Sequence, residues 1–212
     1  MRKIVIIGDS GHAKVVADIV NSTDGMSVYA KLDDKYAKVF MEDGFLKGPV
    51  SHLHELMKIE AGLGVIIGIG SNLVRKKIVQ NLEIDSAQYI TAVHSSAILS
   101  SSVEIGLGTV VMPGVIVNAE SRIGEHSIIN SGSVVEHDCV ISDYCHVSPL
   151  AVVTGGVSIG EGAHIGAGAS VIPLKEVGEW STVGAGAVVV SNINDHVTVV
   201  GAPAREVKKE GL

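Results

Sequence analysis

Large aromatic side chains are scarce in this sequence. Phe, Trp and Tyr together make up 3% of the 212 residues, whereas 25 residues are glycine and 46% are hydrophobic. The core must therefore be built from small aliphatic side chains and close backbone packing. That combination indicates a repetitive fold instead of a core organised around aromatic rings.

The chain also lacks runs of positive charge, long apolar runs and a cysteine framework. Its formal net charge is −7, and no cluster of Lys or Arg provides a footprint for nucleic acid or an anionic membrane. The opening MRKIVIIGDSGHA has only a four-residue aliphatic run before Gly8, too short for a signal segment or a membrane span. Cys139 and Cys145 show no CxxC spacing and suit a reducing compartment. We therefore expect a cytoplasmic protein.

Aliphatic residues recur at every sixth position in the second part of the chain. Seventeen consecutive positions, six residues apart from Val93 to Val189, are all Val, Ile or Leu. This period is typical of a parallel β-helix, in which three hexapeptides close one triangular coil. Small residues four positions further on are expected to point inward between the aliphatic columns, at Thr109, Ser127, Ser133, Cys139, Cys145, Ala163, Ala169 and Ala187.

The first ninety residues follow a different pattern. Buried strands (RKIVIIG, VYAKLDD, GVIIGIG) alternate with helical segments (GHAKVVADIVN, HLHELMKI, NLVRKKIVQNL). Alternation of this kind predicts a small Rossmann-like α/β domain with a parallel sheet. We expect two domains, residues 1–90 and residues 91–212.

The GDSGHA segment joins the first strand to the first helix, where glycines and a helix N-terminus favour an anionic ligand. It does not match the dinucleotide fingerprint GxGxxG, because Ala13 stands at the third glycine and Asp9 would lie beside the phosphates. Asp33, Asp34 and Gly70 follow the next two strands. These residues predict either a nucleotide site or, on the simpler interpretation, tight turns and caps.

An acidic and imidazole cluster, EHDC, interrupts the aliphatic repeat. His137 lies beside Asp138, and one coil away its column holds Ala119 and Gly155, which leave space around the ring. A neutral imidazole oriented by a carboxylate is a general-base arrangement. The alternative is a solvated surface histidine. His146 and His164, three hexapeptides apart, should stack on adjacent coils, but a third zinc ligand is lacking, so we expect no metal.

The hexapeptides, VEHDCVISDYCHVSP, GAGAVVV and the closing VVGAPAREV resemble left-handed parallel β-helix acyl-CoA transferases. With GDSGHAKVVADIV, LDD and IGIGSNLVRKKI, nearly the whole chain resembles a narrower group. That group comprises the UDP-4-amino-sugar N-acetyltransferases of bacillosamine synthesis and the sialic acid O-acetyltransferases. The resemblance implies an enzyme that uses acetyl-CoA as co-substrate and assembles as a homotrimer, with the coenzyme in the cleft between neighbouring prisms.

The resemblance also implies roles for particular residues. His137 would be the general base and Asp138 the acid that supports it. The expected coenzyme contacts are His146, Gly155, Ala167 and Ala185. The expected contacts to the nucleotide sugar are Ser10, Gly11, His12, Asp33, Asp34, Gly70 and, near the acceptor, Asn130.

Several functions remain open at this point. The first is acetyl transfer to the 4-amino group of a UDP-linked amino deoxy sugar, for a surface glycan or exopolysaccharide. The second is O-acetylation of sialic acid or another sugar hydroxyl. Two other classes are a noncatalytic nucleotide-sugar binding protein and a metal-dependent hydratase, which would need three converging histidines. The aspartates and the GDSGHA loop favour the first.

Overall fold

The computed structural model describes residues 1–207. Its contacts divide the chain into two compact units, Met1–Ser95 and the part that begins at Ser96. The division falls a few residues after the position expected from the sequence. Among the described residues no helix is long and apolar enough to cross a membrane.

The first unit is a five-stranded sheet with helices, in the strand order β3-β4-β2-β1-β5. Neighbours among β1, β2, β4 and β5 run parallel, and only β3 is antiparallel to its neighbour. The strands are β1 (Arg2–Ile7), β2 (Met26–Leu32), β3 (Phe40–Glu42), β4 (Phe45–Gly48) and β5 (Gly64–Ile67). The helices are α1 (Gly11–Ser22), α2 (Leu53–Ile59) and α3 (Asn72–Leu82), with 3₁₀ turns at Val50–His52 and Ser86–Gln88. The parallel sheet expected from the alternating pattern is confirmed.

The hairpin β3–β4 is absent from the sequence-based prediction. Its two-residue turn consists of Asp43 and Gly44, both with positive φ (52° and 79°). An Asp-Gly pair between apolar residues is the usual signal for such a turn, because its twist matches that of the paired strands. The hairpin places β4 beside β2 and makes β3 the edge strand of the sheet.

The core of the first unit explains why its central strand is hydrophobic throughout. Four consecutive residues of β1, Ile4–Ile7, are buried because both faces of this strand are covered. Val5 and Ile7 pack with residues of β2 and β5 and with side chains from the helices, among them Leu53 and Leu82. The ends of these strands are thereby held close together at one edge of the sheet.

The second unit is a parallel β-helix with three faces. Face 1 contains β7 (Ile98–Leu99), β10 (Ile116–Val117), β13 (Val134–Val135), β16 (Val152–Val153), β19 (Ser170–Val171) and β22 (Val188–Val189). Face 2 contains β8 (Glu104–Ile105), β11 (Arg122–Ile123), β14 (Val140–Ile141), β17 (Ser158–Ile159) and β20 (Glu176–Val177). Within this unit face 3 contains β9 (Val110–Val111), β12 (Ile128–Ile129), β15 (His146–Val147), β18 (His164–Ile165), β21 (Thr182–Val183), β23 (Thr198–Val200) and β24 (Arg205–Glu206). The strand β6 (Ala92–Val93) ends the first unit.

The period of six translates directly into this architecture. Each of the seventeen predicted aliphatic positions is the second residue of a short strand, and those from Val111 to Val189 are buried. Neighbouring strands pair with an offset of three hexapeptides, as Val134 with Val152. The eight small residues expected to point inward are all fully buried.

Polar members of the inward columns connect successive coils. Thr109 donates its hydroxyl to the carbonyl oxygen of Gly124 (2.7 Å) and accepts the backbone N–H of Ser127 (2.9 Å). The buried, free Cys139 thiol donates in the same way to the carbonyl of Thr154 (3.2 Å). Cys145 donates in the same way to the carbonyl of Gly160 (3.1 Å). These contacts support the interpretation of both cysteines as packing residues, because a buried polar group needs a partner.

The corners of the coil have a conformation that restricts sequence. Asp138, Leu174 and Trp180 adopt positive φ (58°, 60° and 54°). The Leu174 and Trp180 side chains lie over Gly156 and Gly162 of the preceding coil, where a Cβ atom would come within 2.7 Å and 2.5 Å of them. The positions of the Leu174 and Trp180 side chains therefore depend on glycine at residues 156 and 162.

Candidate functional site

The predicted base lies at an open corner of the β-helix. His137 and Asp138 occupy the turn between β13 on face 1 and β14 on face 2, and their side chains are 63% and 64% exposed. The distance from His137 Nδ1 to Asp138 Oδ2 is 2.7 Å. An ionised carboxylate only accepts hydrogen bonds, so His137 donates from Nδ1–H and keeps a lone pair on Nε2. Nε2 is therefore the ring atom that can take a proton from an acceptor.

The coil that follows leaves room for the His137 ring. A Cβ atom placed on Gly155 would lie 2.7 Å from His137 Cε1 and 2.8 Å from Nε2. Any larger residue at position 155 would push the ring out of this position. In the preceding coil, Asn118 donates from its amide to the carboxylate of Glu136 (2.9 Å). This hydrogen bond fixes Glu136, the acidic residue that comes directly before His137 in the sequence.

Two further histidines stack on face 3. His146 and His164 begin β15 and β18, and their rings are parallel to within 4° with centroids 4.8 Å apart. The Asn130 amide nitrogen lies 3.0 Å from His146 Nε2, and the Ser148 hydroxyl lies 2.7 Å from His164 Nε2. The stacking expected from their equivalent positions on adjacent coils is present.

The predicted coenzyme residues fall on two different parts of the β-helix. Ala167 and Ala185, on successive coils, are exposed in the turns that lead from face 3 to face 1, after the strands β18 and β21. His146 lies on face 3 near this edge. Gly155, in contrast, lies beside His137 at the corner of faces 1 and 2. One chain therefore does not bring His137 and His146 together, because the strand β14 on face 2 separates them.

A cavity of about 580 Å³ lies at the strand ends of the first unit. Gly8, Asp33 and Asp34 line it, as do apolar side chains from β1, β2 and α3. Sequence reasoning missed other polar residues of its wall, Ser51, His54 and Asn81. The two aspartates also hold the loops: Asp33 accepts the backbone N–H of Asp9 (2.8 Å), and Asp34 accepts that of Val50 (2.9 Å). They combine the two interpretations left open by the sequence, because they both shape turns and line a cavity.

The start of α1 carries the other predicted nucleotide contacts. Ser10 is the N-cap and makes no side-chain cap hydrogen bond, and Gly11 is the first helical residue, so backbone N–H groups of the first turn are available to an anion. The Nε2 atom of His12 is buried without a hydrogen-bond partner. Burial, helped by the nearby Arg75 charge, lowers the pKa of His12 to about 4. His12 is therefore neutral at physiological pH.

Arg75 on α3 organises the loop that contains Gly70. Its side chain is almost fully buried and donates to the carbonyl oxygens of Ile69 (3.0 Å) and Gly70 (3.3 Å) and to the side chain of Asn72 (2.9 Å). In the sequence Arg75 is one of several cations in an amphipathic helix, so nothing but the structure distinguishes it.

Asp9 of the GDSGHA segment lies in a cluster with charged side chains of β2 and β4. Its carboxylate is 7% exposed and contacts Lys47 Nζ at 3.0 Å, Lys31 Nζ at 3.7 Å and the Tyr36 hydroxyl at 2.6 Å. Burial raises the pKa of Asp9, but the hydrogen bonds from Tyr36 and Lys47 and the two positive charges outweigh it, so the pKa is lowered overall. Asp9 thus ties the GDSGHA loop to β2 and β4 as a charged group.

Metal ligands do not assemble in residues 1–207, where no group of three His, Cys, Asp or Glu side chains is arranged to hold an ion. The histidines His137, His146 and His164 instead contact a carboxylate, an amide and a hydroxyl.

Comparison with known proteins defines the class. Residues 3–82 match the PglD N-terminal domain, and residues 138–173 match the bacterial transferase hexapeptide (six repeats). The second unit is thus the left-handed β-helix of hexapeptide acyltransferases, as expected, joined to a PglD-type α/β domain.

Individual relatives narrow this class. The chain is 38% identical to a structure of a histidine-to-asparagine mutant of perosamine N-acetyltransferase from Caulobacter crescentus, in complex with CoA and GDP-perosamine; the TM-score is 0.88, over 97% of this chain and 96% of that one. It is 33% identical to the acetyltransferase domain of PglB from Neisseria gonorrhoeae FA1090 in complex with acetyl coenzyme A, with a TM-score of 0.86 over 97% and 99%. It is 45% identical over 112 residues to UDP-N-acetylbacillosamine N-acetyltransferase from Bacillus subtilis (strain 168), a match that spans about half of each protein, 53% and 52%. The chain belongs to the hexapeptide-repeat family of acetyl-CoA-dependent sugar N-acetyltransferases, which confirms the resemblance seen in the sequence.

Proposed function

We propose that this protein transfers an acetyl group from acetyl-CoA to the 4-amino group of a nucleotide-linked amino deoxy sugar, with a UDP-linked sugar as the first candidate. The observation that carries the proposal is the His137–Asp138 pair, a ready general base at an open corner of the β-helix. Relatives whose names specify amino sugars support nitrogen as the acceptor atom. Such a product suits a surface glycan or exopolysaccharide. Acetyl-CoA and nucleotide sugars are cytoplasmic metabolites, so we propose that the protein acts in the cytoplasm.

The chemistry requires one base and one oriented pair of substrates. The amino nitrogen attacks the thioester carbonyl carbon, and His137 Nε2 takes the proton that this nitrogen loses. The C–S bond then breaks, and the CoA thiolate leaves and is protonated, which gives the amide and free CoA. Asp138 holds His137 in the tautomer that keeps Nε2 available. No covalent intermediate with the protein is needed, since positioning both substrates supplies much of the rate.

The nucleotide part of the acceptor is assigned to the first unit. The cavity lined by Gly8, Asp33 and Asp34 has the size and the mixed apolar and polar wall of a small-molecule site. Backbone N–H groups after Ser10 and Gly11 suit the diphosphate. Arg75 holds the Gly70 loop in place through its hydrogen bond to the Gly70 carbonyl oxygen. Neutral His12 remains a predicted contact, because its buried Nε2 has an unmet hydrogen bond.

The coenzyme is assigned to the edge of faces 3 and 1. Ala167 and Ala185 form an exposed strip of small residues there, and Cβ atoms placed on the adjacent Gly168 and Gly186 would meet nothing within 4 Å. A strip of this kind lets an extended pantetheine arm lie along the backbone. His146 lies near this edge, at the level of the preceding coil.

A homotrimer would complete the site. His137 and His146 lie on different parts of one β-helix, so a thioester beside His146 reaches His137 only if a neighbouring copy supplies it. We propose a threefold arrangement in which each site combines His137 and Gly155 of one copy with His146, Ala167 and Ala185 of the next. Closed rings of identical subunits place such head-to-tail contacts in equivalent positions.

The activity is tested by following CoA thiol release from acetyl-CoA with a panel of acceptors. The panel contains UDP- and GDP-linked 4-amino-4,6-dideoxy sugars, the corresponding 4-hydroxy sugars and sialic acid. We expect rapid release with a 4-amino sugar and a loss of at least ~10²-fold in kcat for His137→Ala. Release only with hydroxyl acceptors would replace N-acetylation by O-acetylation. Tight nucleotide-sugar binding without any release would indicate a noncatalytic binding protein.

The shared site is tested by coexpression of His137→Ala and His146→Ala chains. Each variant alone should have little activity. If equal amounts of the two chains assemble at random, about one site in each mixed trimer, and so about a quarter of all sites, would combine an intact His137 with an intact His146 from the neighbour, so activity should return. A mixture no more active than its parents, in particles shown by light scattering to be mixed trimers, would place both histidines in one subunit's site.

A further inference from the structure

Two polar pairs repeat on face 3 with an offset of one coil. Asn130 contacts His146 Nε2, and one coil later Ser148 contacts His164 Nε2. The two imidazoles stack in parallel between these contacts. The two pairs are arranged alike, but an amide and a hydroxyl differ in whether they allow a proton on the Nε2 atom of the ring beside them.

The direction of the Asn130–His146 hydrogen bond is fixed by the backbone. The Asn130 side-chain oxygen accepts the backbone N–H of Ser131 at 2.8 Å, a contact that the amide nitrogen cannot make. The amide nitrogen must therefore face His146, and it can only donate. His146 Nε2 accepts this bond at 3.0 Å and carries no proton, because two donors would otherwise face each other.

The second pair imposes no such condition. A hydroxyl both donates and accepts, so Ser148 is compatible with either tautomer of His164. The contribution of His164 is its flat ring, which stacks on His146 and limits its rotation. The chain thus has an amide beside the histidine at the proposed thioester and a hydroxyl beside the histidine one coil further away.

We propose that Asn130 is a positioning residue that holds His146 as the neutral Nδ1–H tautomer, with the His164 ring as its support, so that His146 acts through Nδ1–H as a hydrogen-bond donor to the acetyl carbonyl oxygen. This inference rests on the proposed function for the placement of acetyl-CoA. The two histidines of the site then have different roles. His137 is directed by a carboxylate to act as a base through Nε2, whereas the amide engages Nε2 of His146. It also assigns Asn130 to the coenzyme side instead of to the acceptor contact expected from the sequence.

The test reads the tautomer directly, on the full-length protein labelled with ¹⁵N-histidine. Long-range ¹H–¹⁵N correlation spectra distinguish protonated from bare ring nitrogens, and His146→Gln identifies the His146 signals. Without substrates, we expect His146 to show a bare Nε2 and a protonated Nδ1. Ser148→Ala is the matched control: it removes the equivalent contact of the other pair and should leave this His146 pattern unchanged.

Asn130→Asp reverses the hydrogen bond with minimal change in shape. A carboxylate still accepts the Ser131 N–H, but beside His146 it can only accept, so Nε2 must become protonated. We expect this change in the spectrum together with a fall in kcat of ~10²-fold or more, as for the loss of an oxyanion donor, and a nearly unchanged KM for the acceptor.

Two results would overturn the inference. One is a wild-type His146 with a proton on Nε2. The other is an Asn130→Asp enzyme whose spectrum changes while kcat stays within about threefold, well below the cost of losing an oxyanion donor. The expected tautomer in a protein that releases no thiol with any acceptor would refute the proposed function but support the role of Asn130 in fixing His146.

Discussion

Gly155 allows a sharp test of the position of the His137 ring, the proposed general base. A Cβ atom at this residue would lie 2.7 Å from His137 Cε1 and 2.8 Å from Nε2, well inside normal contact distance. In Gly155→Ala the exposed ring can turn away from the methyl group, so the fold should persist while Nε2 moves by roughly 1 Å. A displacement of that size at a reacting group costs ~10² in rate, which corresponds to about 3 kcal/mol of transition-state stabilisation.

The adjacent glycine provides the matched control. Gly156 has φ of 69°, and a Cβ atom there would meet Leu174 instead of His137. Gly156→Ala should therefore destabilise the protein by about 1 kcal/mol through backbone strain and leave kcat close to that of the wild type. Gly155→Ala should show the opposite pattern, a low kcat with a nearly unchanged unfolding temperature.

The assay is the release of CoA thiol at saturating acceptor and acetyl-CoA, with calorimetry on the same samples. The reasoning would be refuted if Gly155→Ala retained kcat within about threefold, because a displacement of ~1 Å should cost far more. Equal losses in both variants would also refute it, since they would trace the effect to the corner backbone and not to the His137 ring.

Three other predictions concern buried groups. The pKa of His12 is lowered to about 4 from an ordinary 6.5, so the unfolded chain binds this proton more readily, and stability should fall as pH drops from about 6.5 towards 4. The free energy of unfolding measured by urea titration should therefore be about 2 kcal/mol lower at pH 5 than at pH 7 because of His12. His12→Phe should remove this difference. Asp9→Asn leaves Lys31 and Lys47 without their shared carboxylate and should lower the free energy of unfolding in denaturant by about 3 kcal/mol. The exposed control Asp24→Asn should change it by almost nothing. Equal effects of the two substitutions would contradict the role of Asp9. Burial raises the pKa of the Cys139 thiol, and neither cysteine is exposed, so a thiol reagent at pH 8 should titrate both only after denaturation; rapid labelling of the native protein would contradict the inward placement.

The sequence predicted those parts of the fold that depend on repetition. The aliphatic residue of each hexapeptide, such as Val135, must point into the prism, and this condition fixes the neighbouring His137 in the turn that follows the strand. The α/β unit was predictable because its strands and helices differ in hydrophobic period. The small inward residues were also predictable, since only small side chains fit beside the aliphatic columns.

The remaining features depend on contacts between residues distant in sequence. Arg75 is one of three cations in α3, and its burial beneath the Gly70 loop follows only from how that loop folds back. The role of Asp9 could not be predicted, because its two lysine partners lie on separate strands. The proposed role of Asn130 likewise depends on the direction of one hydrogen bond, which no pattern of residues encodes.

The pairing offset of three hexapeptides also limits how this gene can change in length. Removal of a single hexapeptide from the repeat would keep every aliphatic side chain inside, yet it would turn each later segment onto the next face and carry His146 away from Asn130 or His137 away from Gly155. Removal or duplication of a whole coil would restore both alignments. Insertions and deletions in the middle of the β-helix should therefore survive selection only in whole turns, while shorter ones would accumulate at its ends.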